Sequence, residues 1–230
     1  MFFLATEIRI DSMGKVFGVG FNSGGKFKQK TKGRATKEKV AWINMLKRCY
    51  YKPQLEVNRT YAGCYVCNDW LDFQKFAKWY SDNLLDIKEG CDLDKDLIEY
   101  GNKEYSPEKC MIVPRSVNKF MCNSGASRGL FMIGVNFHKA SGLFRSECRN
   151  PITKSRDSLG YFDSEIDAHL AWRVRKSEIA IMLSKKYNIT SLESALVRMA
   201  AMIENFEIYP LSKNLHMADS GRVKLLEQGE

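Results

Sequence analysis

An α+β chain of two small domains is what this sequence predicts, on three observations. Short runs whose apolar residues alternate with a period of two occur in both the first and the last third of the chain, as in half-buried strands. Between and after them lie stretches with apolar residues three and four apart, the helical period. A small polar stretch, CNSGASRG at 122–129, separates two halves of different patterning. Domains are therefore expected at 1–122 and 131–210, with a linker at 123–130 and a loose tail at 211–230.

The elements follow in order. At 15–33, Val16, Val19, Phe21 and Phe27 flank the turn signal Ser23-Gly24-Gly25, which predicts a β-hairpin. From Thr36, the spacing of Val40, Ile43 and Leu46, with Trp42 and Met45 beside them, predicts a helix ending near Lys52-Pro53. A second helix is expected over 69–83, where Trp70, Phe73, Phe76, Ala77 and Tyr80 recur at helical spacing. That aromatic stripe reads as core, because a base-stacking platform belongs on an exposed sheet or groove. Past the linker, strands are expected around 133–138, 142–148 and 158–162. A helix over 164–186 follows, N-capped by Ser164 with Asp167 three residues on. A final helix is expected over 191–206.

The charge is strongly biased, with 36 Lys and Arg against 27 Asp and Glu and a net charge of +9, which favours a polyanionic partner. Between positions 26 and 52 the only acid is Glu38. Lys26, Lys28, Lys30, Arg34 and Arg48 of this run are candidate phosphate contacts. The segment 82–108 reverses the sign, and suits either a divalent cation held against a phosphodiester or a solubilising loop. The opening MFFLA lacks the marks of a signal peptide, and no stretch has the roughly 18 apolar residues of a membrane span, so a cytoplasmic chain is expected. The seven cysteines read as reduced thiols. Cys64-x-x-Cys67 lacks a second pair at zinc-binding spacing, so a zinc site is not expected.

The string LDKDLIEYGNKEYSPEKCMIVPRSVN, at 93–118, resembles the ββα-metal motif of HNH-type endonucleases, in the version common in bacteriophage proteins. With WINMLKRCY from Trp42 and CYVCNDWLDFQKF from Cys64, the resemblance covers roughly 14–122. It implies metal-dependent phosphodiester hydrolysis, with Asp94 and Asn118 as ligands of a divalent ion such as Mg²⁺. It places Asn102 and Glu108 in the loop that braces the two strands. Where the family carries its general-base histidine this chain has Lys95, an ammonium at neutral pH. Asp96 is then left as a weak base, or Lys95 as a cation on the phosphate. The chain's three histidines, His138, His169 and His216, all lie outside the motif.

The stretch from Gly134 to Ala180 resembles the ethylene-response-factor (APETALA-type) DNA-binding domain, through Gly134-Val135 with Phe137, Gly142-x-Phe144, and Leu159-Gly160-x-Phe162 before an Ala-containing helix. That family packs a three-stranded antiparallel sheet on one helix and sets the sheet face in the major groove. Alternation along the strand puts Arg145, Glu147 and Arg149 on the face opposite Phe144 and Cys148. Phe144 is then expected toward the helix and the arginines toward DNA. Asn136, His138, Lys139, Lys154, Arg156 and, in the linker, Arg128 are expected beside them, while Phe162 and Trp172 read as core.

Taken together, the expected architecture is an N-terminal β-hairpin with a degenerate HNH-like ββα domain, then a three-stranded antiparallel sheet packed on a helix. The expected function is a duplex-DNA endonuclease. A catalytically inactive DNA-binding protein on the same scaffold is the alternative, and a protein that uses its acidic 82–108 segment against a basic partner is a third.

Overall fold

A computed structural model describes residues 14–122 and 130–209. The expected linker position Arg128 and the tail lie outside the described residues. The chain divides into two compact units, Met1–Asn118 and Lys119–Glu230, and both mix helices with small sheets.

In the first unit, β1 (Lys30–Thr31) and β2 (Arg34–Ala35) form a two-stranded hairpin. Helices α1 (Lys37–Tyr50) and α2 (Lys52–Val57) follow, then the two-residue strand β3 (Tyr65–Val66) and helix α3 (Phe73–Asn83). Strand β4 (Cys91–Asp94) pairs antiparallel with β6 (Met111–Pro114), and helix α4 (Arg115–Met121) begins at the next residue. Between them, β5 (Glu104–Tyr105) runs parallel to β3.

The hairpin is the one element the sequence misplaces. Ser23-Gly24-Gly25 does not join a strand pair: Val16 pairs with Gly20 across its own tight turn, while Phe21 bridges to Asp72. Asp72 accepts from the Ser23 amide at 3.1 Å and from its hydroxyl at 2.7 Å. Gln74 bonds Asn22 and both backbone groups of Phe27. The polar groups of this loop are thus satisfied by the start of α3 and have no need of a ladder. The real hairpin turn is Lys32-Gly33, with φ of +50° and +75°, positive at both central positions as a type I′ turn requires.

Thr36 caps α1 by accepting from the Lys39 amide, and Asp72 caps α3 by accepting from that of Gln74. The core face of α1 is Trp42, Met45, Leu46 and Cys49, whereas Val40 is exposed. The stripe of α3 is buried as expected, and Trp70, from the turn before α3, meets Phe76 edge-on with centroids 5.2 Å apart. The Trp42 indole donates to the Trp70 carbonyl at 2.8 Å, which satisfies its only polar atom inside the core.

Lys39 is buried beneath the same aromatics, its Nζ 4.3 Å from the Trp42 ring centroid. Burial lowers its pKa from 10.5 to about 8, so folding disfavours the ammonium relative to the unfolded chain. A depressed folded pKa means a contribution to stability that is complete above the unfolded value and lost as pH falls through about 8. Buried thiols such as that of Cys49, pushed up to about 12, act in the opposite sense above their free value. The two proteins are therefore compared at each pH. Thermal melts are expected to show wild type gaining on Lys39→Met between about pH 8 and pH 10.5, with no such gain below that window.

In the second unit, β7 (Val135–His138), β8 (Leu143–Asn150) and β9 (Ser155–Phe162) form an antiparallel sheet in sequence order. Helix α5 (Glu165–Lys186) packs on it, and α6 (Thr190–Glu204) packs on α5 through Leu192, Leu196 and Ile203. Ser164 caps α5 by accepting from the Asp167 amide at 3.0 Å and donates its hydroxyl proton to that carboxylate at 2.6 Å. Trp172 of α5 is buried against His169, Tyr209 and the backbone of Gly134. Among the described residues, no helix is long and apolar enough to cross a membrane.

Candidate nucleic-acid interface and ββα site

Alternation along β8 sends Ser146, Cys148 and Asn150 inward, all buried, and leaves Arg145, Glu147 and Arg149 on the other face. Phe144 shares the inward face of Ser146 and Cys148. It is half-buried in an aromatic cluster, 5.7 Å from Phe131 and 5.3 Å from Phe137 between ring centroids.

Register then brings neighbours onto the outer face. Asn136 and Tyr161 stand on either side of Arg145, and Arg156 stands opposite Arg149. His138 meets the Tyr161 ring at 5.2 Å and its Nδ1 lies 2.8 Å from the Ser141 hydroxyl. Lys139 and Lys154 are exposed in the turns at the two ends of β8, Lys154 with φ of +62°. The face carries one acid: Glu147 binds Arg145 at 2.6 Å and lies 4.0 Å from Arg156. Asp157 faces the other way, where Arg175 and Asn150 bind it and hold its carboxyl below the usual carboxylate range. Arg149 opposite Arg156 is a like-charge cross-strand pair, which is unfavourable unless an anion screens it. Tyr161, 48% exposed, is the residue of this face that sequence reasoning omitted, although its alternation with Phe162 marks it.

In the first unit, β4, β6 and α4 form a ββα unit over 91–121. The side chains singled out there do three different things. Asp94, at the end of β4, accepts from the Asp96 and Leu97 amides at 2.9 and 2.7 Å, closing the turn out of the strand. Burial raises its pKa, against the opposing pull of the Leu97 amide. Lys95 points inward and is only 6% exposed. Its ammonium donates to the Asp96 carboxylate at 2.6 Å and the Asn102 carbonyl at 2.5 Å. The Asn102 amide donates to the carbonyls of Lys95 and Glu104, and its oxygen accepts from the Glu104 amide. Lys95 and Asn102 thus tie the loop shut at both ends. Replacing Lys95 by methionine strands the Asn102 carbonyl and is expected to destabilise the first unit by about 2–3 kcal/mol. Hydrogen-exchange mass spectrometry would show the loss at 91–105.

Asn118 donates to Asp92 at 3.1 Å, where sequence reasoning had set it beside Asp94. Asp92 and Asp94 are two apart on β4 and share a face, so Asp92 is the carboxylate that the motif reading passed over. Its other oxygen takes the Arg115 Nε at 3.4 Å. Glu108 is exposed in the turn before β6. Among the described residues, no group of three or more His, Cys, Asp or Glu is placed to hold a metal ion. Asp92, Asp94 and Asn118 carry oxygen donors of the kind Mg²⁺ takes, one or two carboxylates with water in the remaining positions.

Lys26, Lys28, Lys30 and Arg34 are exposed along the segment that ends in the β1–β2 hairpin. Arg48 is different: half-buried, it lines the wall of a cleft, with its guanidinium 5.5 Å from the Tyr61 ring centroid. The acids of 82–108 are mostly engaged within the unit, Asp82 with Lys78, Asp96 with Lys95, and Glu99 and Glu104 with Lys109. In comparisons with known proteins, no family model, curated protein or solved structure matches this chain.

Proposed function

We propose that this protein binds duplex DNA through the outer face of its three-stranded sheet. The observation that carries the reading is the juxtaposition of Arg145, Arg149 and Arg156, with Asn136 and Tyr161, on one open face whose only acid is Glu147. An antiparallel sheet of this size presents rows of side chains that fit a groove, where Arg reads guanine bidentately or clamps phosphate and Asn reads adenine. The resemblance to the ethylene-response-factor domain points the same way. The exposed lysines of 26–30 and Arg34 add phosphate contacts.

Fluorescence anisotropy with a labelled duplex tests it. Affinity is expected to fall steeply as salt rises from about 50 to about 200 mM, as counterion release requires. An absence of binding at the lower salt sinks the reading. Glu147→Gln removes the one acid from this face, and is expected to raise affinity severalfold and to steepen the salt slope by about one charge.

The ββα arrangement favours a second reading, metal-dependent hydrolysis of DNA on the same chain. Asp92, Asp94 and Asn118 would hold a divalent ion, which supplies charge stabilisation at the phosphate. Lys95 is consumed in closing the loop and cannot serve as base, so Asp96 is the nearest carboxylate for water. Supercoiled plasmid with Mg²⁺ or Mn²⁺ is expected to yield open circles, and Asp94→Ala to abolish them. Intact plasmid throughout about pH 6–9, with DNA binding retained, leaves the non-catalytic binder as the function.

A further inference from the structure

The first unit contains a second cationic constellation that the DNA reading does not use. A cleft of about 340 Å³ opens between α1, the segment 84–90, β4 and the start of α4. Lys37, Val40, Asn44 and Arg48 line it from α1. Their spacing of three and four residues puts them on one face of that helix, next to the face that Trp42 and Leu46 bury. Leu84, Ile87, Asp92 and Arg115 line the opposite wall.

Cationic and apolar side chains share the lining. Val40, Leu84 and Ile87 make an apolar part; Lys37, Arg48 and Arg115 bring three cations against the single carboxylate of Asp92. That carboxylate is already engaged by Arg115 and Asn118. Both arginines have neighbours within the unit. Arg48 is half-buried with the Tyr61 ring centroid 5.5 Å away, and Arg115 pairs with Asp92 at 3.4 Å. The Arg115 guanidinium lies over Gly90, so close that an added Cβ there would meet its Nη2 at 3.4 Å. Cations fixed before a ligand arrives bind with less loss of side-chain freedom.

We propose that this cleft binds the phosphomonoester of a nucleotide, with phosphate between Arg48 and Arg115, Lys37 at its edge, and base and sugar against Val40, Leu84 and Ile87. A phosphomonoester carries about −1.5 to −2 at neutral pH, which matches the excess of two positive charges in the lining, whereas an internal phosphodiester carries only one negative charge. The volume is at the small end of the about 300–1,000 Å³ range of ligand clefts, which suits a single nucleotide unit. The site is independent of DNA binding by the sheet. The same chemistry is offered by a free mononucleotide or by a phosphorylated strand end.

Titration calorimetry on the full chain tests it with dAMP, deoxyadenosine and inorganic phosphate. Binding of dAMP is expected to be about tenfold or more tighter than that of either fragment. Lys37→Gln and Arg115→Gln, both at exposed positions, are each expected to weaken it about tenfold. Val40→Trp fills the apolar part and brings dAMP down to the level of phosphate. Displacement of dAMP by an oligonucleotide bearing a 5′ phosphate, but not by its unphosphorylated twin, identifies the ligand as a strand end; displacement by neither identifies a free nucleotide. Equal displacement by both overturns the monoester assignment. The proposal also fails if dAMP binds no tighter than deoxyadenosine, or if both charge variants leave its affinity unchanged. Arg145→Ala, which weakens DNA binding, leaves dAMP binding intact, so the two readings fail separately.

Discussion

Arg145→Ala combined with Arg149→Ala is expected to weaken duplex binding by roughly 100-fold or more, since a good arginine contact to a base or phosphate is worth about 1–3 kcal/mol. The reason lies in the register. Arg145 sits in the middle of the sheet between Asn136 and Tyr161, and Arg149 faces Arg156 across the strands. Loss of both arginines removes the centre of the positive face and leaves Glu147 without its 2.6 Å partner, so its charge offsets that of Arg156. Anisotropy across a salt series separates two kinds of contact. An arginine on phosphate lowers the slope of log K against log salt by about one when removed; an arginine on a base edge changes affinity for one sequence more than for others. The protein itself is expected to remain folded, because Arg149 is exposed and the Arg145 side chain is 39% exposed. A double variant that binds as tightly as wild type would remove the sheet face from the interface.

Gly134→Ala is expected to cost the second unit about 3 kcal/mol, through two additive effects. Gly134 has φ of +85°, where side chains are strained, and an added Cβ would fall 2.1 Å from the Trp172 ring. That ring has little room to retreat, being stacked on His169 at 5.4 Å and met edge-on by Tyr209 at 5.2 Å. For a unit of this size the loss corresponds to a fall in melting temperature of roughly 10–20 °C. Hydrogen exchange is expected to accelerate over β7–β9 and α5, with the first unit unaffected. Unchanged exchange over α5 would mean that Trp172 does not pack on Gly134.

Much of this architecture is legible in the residues. The aromatic stripe of α3, the cap at Ser164 and the alternation of β8 each follow from a local rule, and the structure carries all three. Where the sequence misleads, a distant partner decides. Ser23-Gly24-Gly25 has turn chemistry, but Asp72 and Gln74, some fifty residues on, take up the polar groups that a ladder would have used. Lys32-Gly33 makes the true hairpin with a residue less suited to positive φ than asparagine. Val40 has the period of a core position and lies instead on the second face of α1, toward the cleft. The site divides in the same way. Asp94, read from the motif as a metal ligand, closes the turn out of β4 with its carboxylate, and the partner of Asn118 depends on strand β4 presenting Asp92 as well as Asp94. No spacing rule announces that Lys95 turns inward, since the bonds that bury it come from Asn102 and Asp96, on the loop it closes.

Asp72 does two jobs, starting helix α3 and anchoring a loop forty-nine residues earlier in the chain. One carboxylate is therefore a shared dependency: Asp72→Ala removes the cap of the Gln74 amide and the acceptor of the Ser23 amide and hydroxyl in a single change. The first turn of α3 and the segment that leads into the basic hairpin are expected to loosen together, so a substitution remote in sequence from the exposed lysines alters how that segment is presented.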